Sequence, residues 1–183
     1  MATTKKTSRS KFFELLQAQV QNEFSASQQY IALGVWFDKE DMPQLAKHFY
    51  RQAVEERNHA LAIVQYLLDT DHHVEIPGVA DVRNDFTEPV ELMQLALDQE
   101  KEVARDIETL AKAASDEDDY TSEQFMQWFL KEQVEEISQM TTLLNIAHRA
   151  NGNAFEIERF LHRESVGDSG NGGGMPPVAG GAM

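Results

Sequence analysis

The chain contains no cysteine. Disulfides, thiolate metal sites and a cysteine nucleophile are thereby excluded, and a reducing cytosol is a compatible setting. Long apolar runs are missing too: no stretch approaches the roughly 18 residues that a membrane helix needs. Met1 to Ser10 is polar and basic, without the apolar segment of a secretory signal. A cytoplasmic protein with no membrane partner is therefore expected. Positive charge is scarce, with 16 Lys and Arg against 31 Asp and Glu and a net charge of −15. Binding a phosphate backbone needs clustered cations, so no nucleic-acid partner is expected. A negative field favours cationic ligands instead.

Glycine and proline are nearly absent from four long stretches in which apolar residues recur at helical spacing. Helix A is expected from about Ser10 to Phe37 and helix B from Pro43 to about Thr70, with Pro43 in the first turn. A connection from Asp71 to Thr87 leads to helix C, about Glu88 to Ala114. Helix D is expected to open on a capping box of Thr121 and Gln124 and to stop at Asn151-Gly152. A short helix E, capped by Asn153, ends near Glu164. Residues 1–9 form a flexible N-terminus, 10–164 the bundle domain, and 165–183 a glycine-rich tail expected to be disordered. Helices of about 27 residues measure roughly 40 Å. A connection of about 17 residues spans up to roughly 55 Å, enough to return along the whole bundle. The fold class is all-α: a four-helix bundle with one long crossover and a short fifth helix.

The inward stripe of every long helix is interrupted near mid-length. Helix A places Glu23 after Leu16 and Val20; helix B places Glu56 between Ala53 and Ala60; helix C places Glu100 between Ala96 and Val103. Helix D places Gln133 and Glu136 between Phe129 and Met140. In an up-down bundle, midpoints meet whichever way the helices point. A buried carboxylate costs several kcal/mol of desolvation, and like charges add repulsion. A bound cation removes both penalties. The candidate ligands are Glu23, Glu56, His59, Glu100 and Glu136, a carboxylate-rich set with one imidazole, suited to iron or manganese. His59 follows Glu56 by three and shares its helix face, the Glu-x-x-His arrangement of di-iron carboxylate bundles.

From about Phe12 to Arg163 the chain resembles the ferritin family. The matching segments are Asn22-Glu23-Phe24 with Tyr30, Glu55-Glu56-Arg57-Asn58-His59-Ala60, Ala96-Leu97-Asp98-Gln99-Glu100-Lys101 and Glu132-Gln133-Val134-Glu135-Glu136. The pattern is most similar to bacterial non-haem ferritins of actinobacterial type. This resemblance implies an iron-storage subunit of a 24-subunit cage. It would be a ferroxidase that oxidises iron(II) with dioxygen and holds iron(III) as an oxyhydroxide mineral. Glu23, Glu56 and His59 then correspond to the first iron site, and Glu100 and Glu136 to the second, with Glu56 bridging. Gln133 resembles the hydrogen-bonding residue beside the centre, and Tyr30 the tyrosine that supplies an electron. Glu55, Glu132 and Glu135 resemble the groups that build a third iron site, and Glu123 loosely matches a three-fold-channel carboxylate.

Two departures from neighbouring families matter. Bacterioferritins carry a haem-ligating Met after the bridging Glu, where this chain has Arg57, so no haem is expected. Bacterioferritins and rubrerythrins also repeat Glu-x-x-His on the last helix, where this chain has Gln133-x-x-Glu136. The rival readings are a di-iron or di-manganese enzyme acting on a small substrate and a DNA-protecting mini-ferritin. The second usually carries a basic tail, whereas no Lys or Arg follows Val166 here.

Overall fold

The computed structural model describes residues 10–164 and 174–183; residues 1–9 and 165–173, which the sequence assigns to a flexible N-terminus and part of the tail, lie outside the described residues. Five helices follow in order: α1 (Lys11–Lys39), α2 (Pro43–Asp69), α3 (Pro89–Asp116), α4 (Tyr120–Arg149) and α5 (Ala154–Arg163). All lie within a few residues of their expected places. No helix among the described residues is long and apolar enough to cross a membrane.

Local chemistry sets the helix ends. Ser10 caps α1 by accepting from the Phe13 amide, and Glu117, just beyond α3, accepts from the Lys11 and Phe12 amides at 2.6 and 3.1 Å. Glu158 of α5 does the same for α2, accepting from Gln44 N and Leu45 N at 2.8 Å each. Such carboxylates fill the unsatisfied donors of a helix N-terminus and oppose its positive dipole end. One expected cap is corrected. Asp119, not Thr121, caps α4, its carboxylate accepting from the Ser122 amide, so the helix opens at Tyr120. Each long helix is followed by a non-glycine residue in the left-handed region: Asp41, Asp71, Asp118 and Asn151, the last with Gly152 after it in the same region. Short polar side chains tolerate that conformation best after glycine.

The crossover runs along α1. Gln17 bonds Glu75, Ser25 accepts from the Ala80 amide, Gln29 bonds Arg83, and Trp36 donates to the Phe86 carbonyl. Advancing along the connection thus means advancing along α1. The chain returns the length of the bundle, and α3 begins at the end where α2 began. With short turns joining α1 to α2 and α3 to α4, the result is the expected bundle with α2 and α3 parallel. At Gly34 the first pair packs so closely that a Cβ would stand 2.7 Å from the Tyr50 ring.

The core divides into two apolar clusters. One gathers Tyr30, Phe37, Phe49, Leu92, Met140 and Ile157; the other gathers Leu16, Val20, Ile63, Ile107, Met126 and Phe129. Between them lie buried polar side chains. The far tail differs from expectation. Val178 and Ala179 pack against the second cluster, the Ala179 amide donates to the Leu61 carbonyl, and the Asn58 side chain exchanges two hydrogen bonds with the Met183 main chain. Two small apolar side chains and one asparagine carry too little periodicity to be read as a docking signal beforehand.

Candidate metal centre

Each long helix delivers its interrupting residue to one level of the bundle. Glu23, Glu56 and Glu100 are 0% exposed, His59 and Glu136 2%, and Gln133 4%. These exposures settle which face each residue occupies: all six point inward among apolar neighbours. Glu23, Glu56 and His59 offer ligand atoms within 4.8 Å of one another, and Glu56, Glu100 and Glu136 do the same. Glu56 is shared, so the two groups form adjacent half-sites joined by one carboxylate.

The electrostatics reveal an excess of like charge. Burial, then the charges of Glu100, Glu23 and Glu136, pushes the Glu56 carboxyl well above the usual range. Burial and the charges of Glu100 and Glu55 do the same to Glu136. Glu100 rises to about 7, chiefly through burial, with the Tyr30 hydrogen bond opposing the rise. His59 is pushed down by burial against the opposing pull of Glu23. Its Nδ1 stands 3.3 Å from Glu56 Oε2 and 3.9 Å from Glu23 Oε2. With the imidazole held neutral, these contacts are convergence of potential ligands rather than ion pairs.

The donor atoms fit a hard or borderline cation. Glu23 Oε2, Glu56 Oε1, Glu100 Oε2 and Gln133 Oε1 are all buried and have no hydrogen-bond partner among the described residues. Buried polar atoms are normally satisfied. One carboxylate oxygen left unpaired from each of three helices is the signature of a position completed by an ion.

The side chains that touch the ligands are specific as well. Tyr30, fully buried, donates to Glu100 Oε1, and burial followed by the Glu100 charge raises its phenol well above the ordinary value. The His59 ring meets Trp128 and Phe129 edge-on, at 5.4 and 5.9 Å between centroids. Trp128 is thus half-buried beside the imidazole. Two residues escaped the sequence reading. Gln19 donates to Glu23 Oε1 at 2.9 Å, and Gln52 donates to both Glu55 and Glu136. Each stands four residues before a candidate glutamate, on the same helix face; that spacing was the available signal.

The outer glutamates assemble differently from the set the resemblance implies. Glu132, half-buried and raised by burial and by Glu135, joins His59 and Glu136 in a third three-ligand group. Neither Glu55 nor Glu135 enters such a group among the described residues. Glu135 is exposed, and Glu55 is held by Gln52. Glu123, half-buried in the first turn of α4, lies in none of the groups.

The sequence also matches known proteins. A family model described as a ferritin-like domain matches residues 13–150. The chain is 58% identical over 173 residues to ferritin BfrB of Mycolicibacterium smegmatis, covering 94% of this chain and 95% of that one. Ferritin BfrB of Mycobacterium tuberculosis is 55% identical over 175 residues, covering 96% of each. Among solved structures, an open-pore ferritin from the hyperthermophilic archaeon Archaeoglobus fulgidus superposes with a TM-score of 0.82 at 20% identity. That match covers 87% of this chain and 99% of the archaeal one, and it bears on the fold.

Proposed function

This chain belongs to the ferritin family, and from that premise we propose that it oxidises iron(II) with dioxygen and stores the iron(III) as an oxyhydroxide mineral inside a cage. The observation that carries the reading is the pair of half-sites sharing Glu56, with unpaired carboxylate oxygens converging from separate helices.

Iron is the substrate. Glu23, Glu56 and His59 hold one iron(II) ion, and Glu56, Glu100 and Glu136 hold the other. Dioxygen takes one electron from each. The chain's own part is charge compensation and fixed spacing: carboxylates that carry protons in the empty site surrender them when the ions enter, so uptake releases protons. Tyr30, hydrogen-bonded to Glu100, is positioned to pass an electron and a proton toward the second half-site. Gln133 offers its unpaired Oε1 to water beside the ions. Glu132, with His59 and Glu136, forms an onward position toward the bundle surface, with Glu55 and Glu135 at its margin, and Glu123 lines an entry channel.

Ferritin family members form oligomeric cages, and the finer reading here is a homo-oligomer of 24 subunits in the cytoplasm, each built on residues 10–164. Arg57 in place of a methionine ligand supports a cage without haem. The enclosed site disfavours an enzyme acting on an organic substrate, because its ligand residues are at most 4% exposed. Surface cavities of about 330 and 340 Å³ are lined by other residues.

Aerobic addition of iron(II) to purified protein, followed by electron microscopy, tests this reading. Rapid appearance of ferric absorbance and electron-dense cores inside hollow particles is expected. Stoichiometric metal uptake with no mineral, whatever the iron supplied, would remove the storage assignment.

A further inference from the structure

Two glutamines flank the centre, and they are not equivalent. Gln19 on α1 is satisfied at both ends: its Nε2 donates to Glu23, and its Oε1 accepts from Asn22, which also donates to Asp106 at 3.1 Å. Gln52 on α2 is 1% exposed, and its amide donor is shared between Glu55 Oε2 and Glu136 Oε2, the latter at 3.3 Å. Its Oε1 is buried and without a partner among the described residues. Nothing at the carbonyl end fixes this amide. Its orientation is set by the two carboxylates it serves.

We propose that Gln52 is a positioning residue for the second half-site: its amide aligns Glu136 for the incoming cation and ties that carboxylate to Glu55 at the outer margin of the site. The inference rests on the two-ion reading given above. Without the amide, Glu136 would face Glu100 and Glu55 with no donor to restrain it, and like charges would favour rotation away from its neighbours. When a cation enters, the amide keeps its hold on Glu136 Oε2 and the carboxylate presents its other oxygen to the ion; Gln52 Oε1, unpaired, ties the amide to nothing else. The first half-site has no such dependence, because Glu23 is held by Gln19 and Gln19 is held in turn by Asn22.

Anaerobic titration of the full, assembled, metal-free protein with cobalt(II) alone, followed by visible absorption, tests the assignment. The native chain is expected to take up two equivalents at the centre, and Glu136→Ala identifies the one belonging to the second half-site. Gln52→Met keeps length and volume but removes the donor. It should weaken that equivalent about tenfold, as for a lost hydrogen bond to a charged group, and leave the first within about twofold. Gln19→Met should shift the first equivalent instead. On the Glu136→Ala background, Gln52→Met should add no further change, as expected for a residue acting through Glu136. If Gln52→Met fails to assemble, Gln52→Glu decides, since it keeps the size and replaces the donor with a like charge; it should weaken the second equivalent at least as much. Equal weakening of both equivalents, or none, overturns the role of Gln52 while leaving the two-ion site standing. Uptake of fewer than two cobalt ions by the native chain sinks both readings.

Discussion

At the ends of the bundle, Phe37, Phe49 and Leu92 on one side and Leu16, Ile63 and Ile107 on the other are fully buried among apolar neighbours. Midway between them, positions of the same helical stripes carry Glu23, Glu56, His59, Glu100 and Glu136, equally buried. The ends gain free energy by removing apolar surface from water, roughly 25 cal/mol for each Å². The waist loses it, because carboxylates are desolvated beside one another. One fold therefore holds a stabilising frame and a destabilised middle, and the middle is where a cation has most to gain by binding.

The largest effect is expected at an end. Phe49 stacks with Phe37 at 5.2 Å and lies against Tyr30 at 5.8 Å, so Phe49→Ala leaves a cavity inside an aromatic group. Denaturant unfolding of the metal-free protein should show a loss of about 3–5 kcal/mol. A loss under about 1 kcal/mol would break the claim that the ends carry the stability.

At the waist the effect falls on chemistry rather than on stability. Glu56→Ala removes the carboxylate common to both half-sites, and stopped-flow oxidation of iron(II) should slow by roughly 100-fold or more. Light scattering should show the assembly unchanged, because the residue contributes charge rather than packing. Unchanged initial rates would remove Glu56 from the centre.

The smallest effect is a dependence on pH. In the folded chain Glu100 is raised from 4.5 to about 7, and Glu56 and Glu136 are raised as well. Folded carboxyls with raised pKa bind protons that the unfolded chain releases. Their contribution is complete below about pH 4.5 and is lost as pH rises through about 7 and above. Thermal melts of the metal-free protein should accordingly show a loss on the order of 2–3 kcal/mol from Glu100 alone between pH 5 and pH 8. A divalent cation should restore the stability at the upper end by mass action. Metal-free melts that rise across that interval would contradict the picture of a repulsive waist.

Much of this was legible in the residue order. The helices declared themselves by periodicity and by Pro43 and Asn153 at their starts, and the candidate ligands declared themselves by interrupting apolar stripes at matching depths. What was not legible depended on side-chain direction across helices. Gln52 reads as one more polar residue until α4 brings Glu136 to it, and Glu132 joins His59 and Glu136 in one ligand group only in the folded bundle. Asp119 displaced Thr121 as the α4 cap because its carboxylate reaches the Ser122 amide, a choice between adjacent polar residues that spacing alone does not settle. The docking of Val178 and Ala179 rests on two small apolar contacts and main-chain bonds, which leave no pattern in composition.

The crossover has one further consequence. It is tied to α1 by side-chain bonds along its exposed length, and Gly78 at its centre touches nothing within 4 Å of where a Cβ would stand. Severing the chain there would produce two complementary fragments, one bearing Glu23, Glu56 and His59 and the other Glu100 and Glu136. Neither fragment would own a complete second half-site, so only reunion of the pieces, driven by the apolar ends, would rebuild a place for that ion.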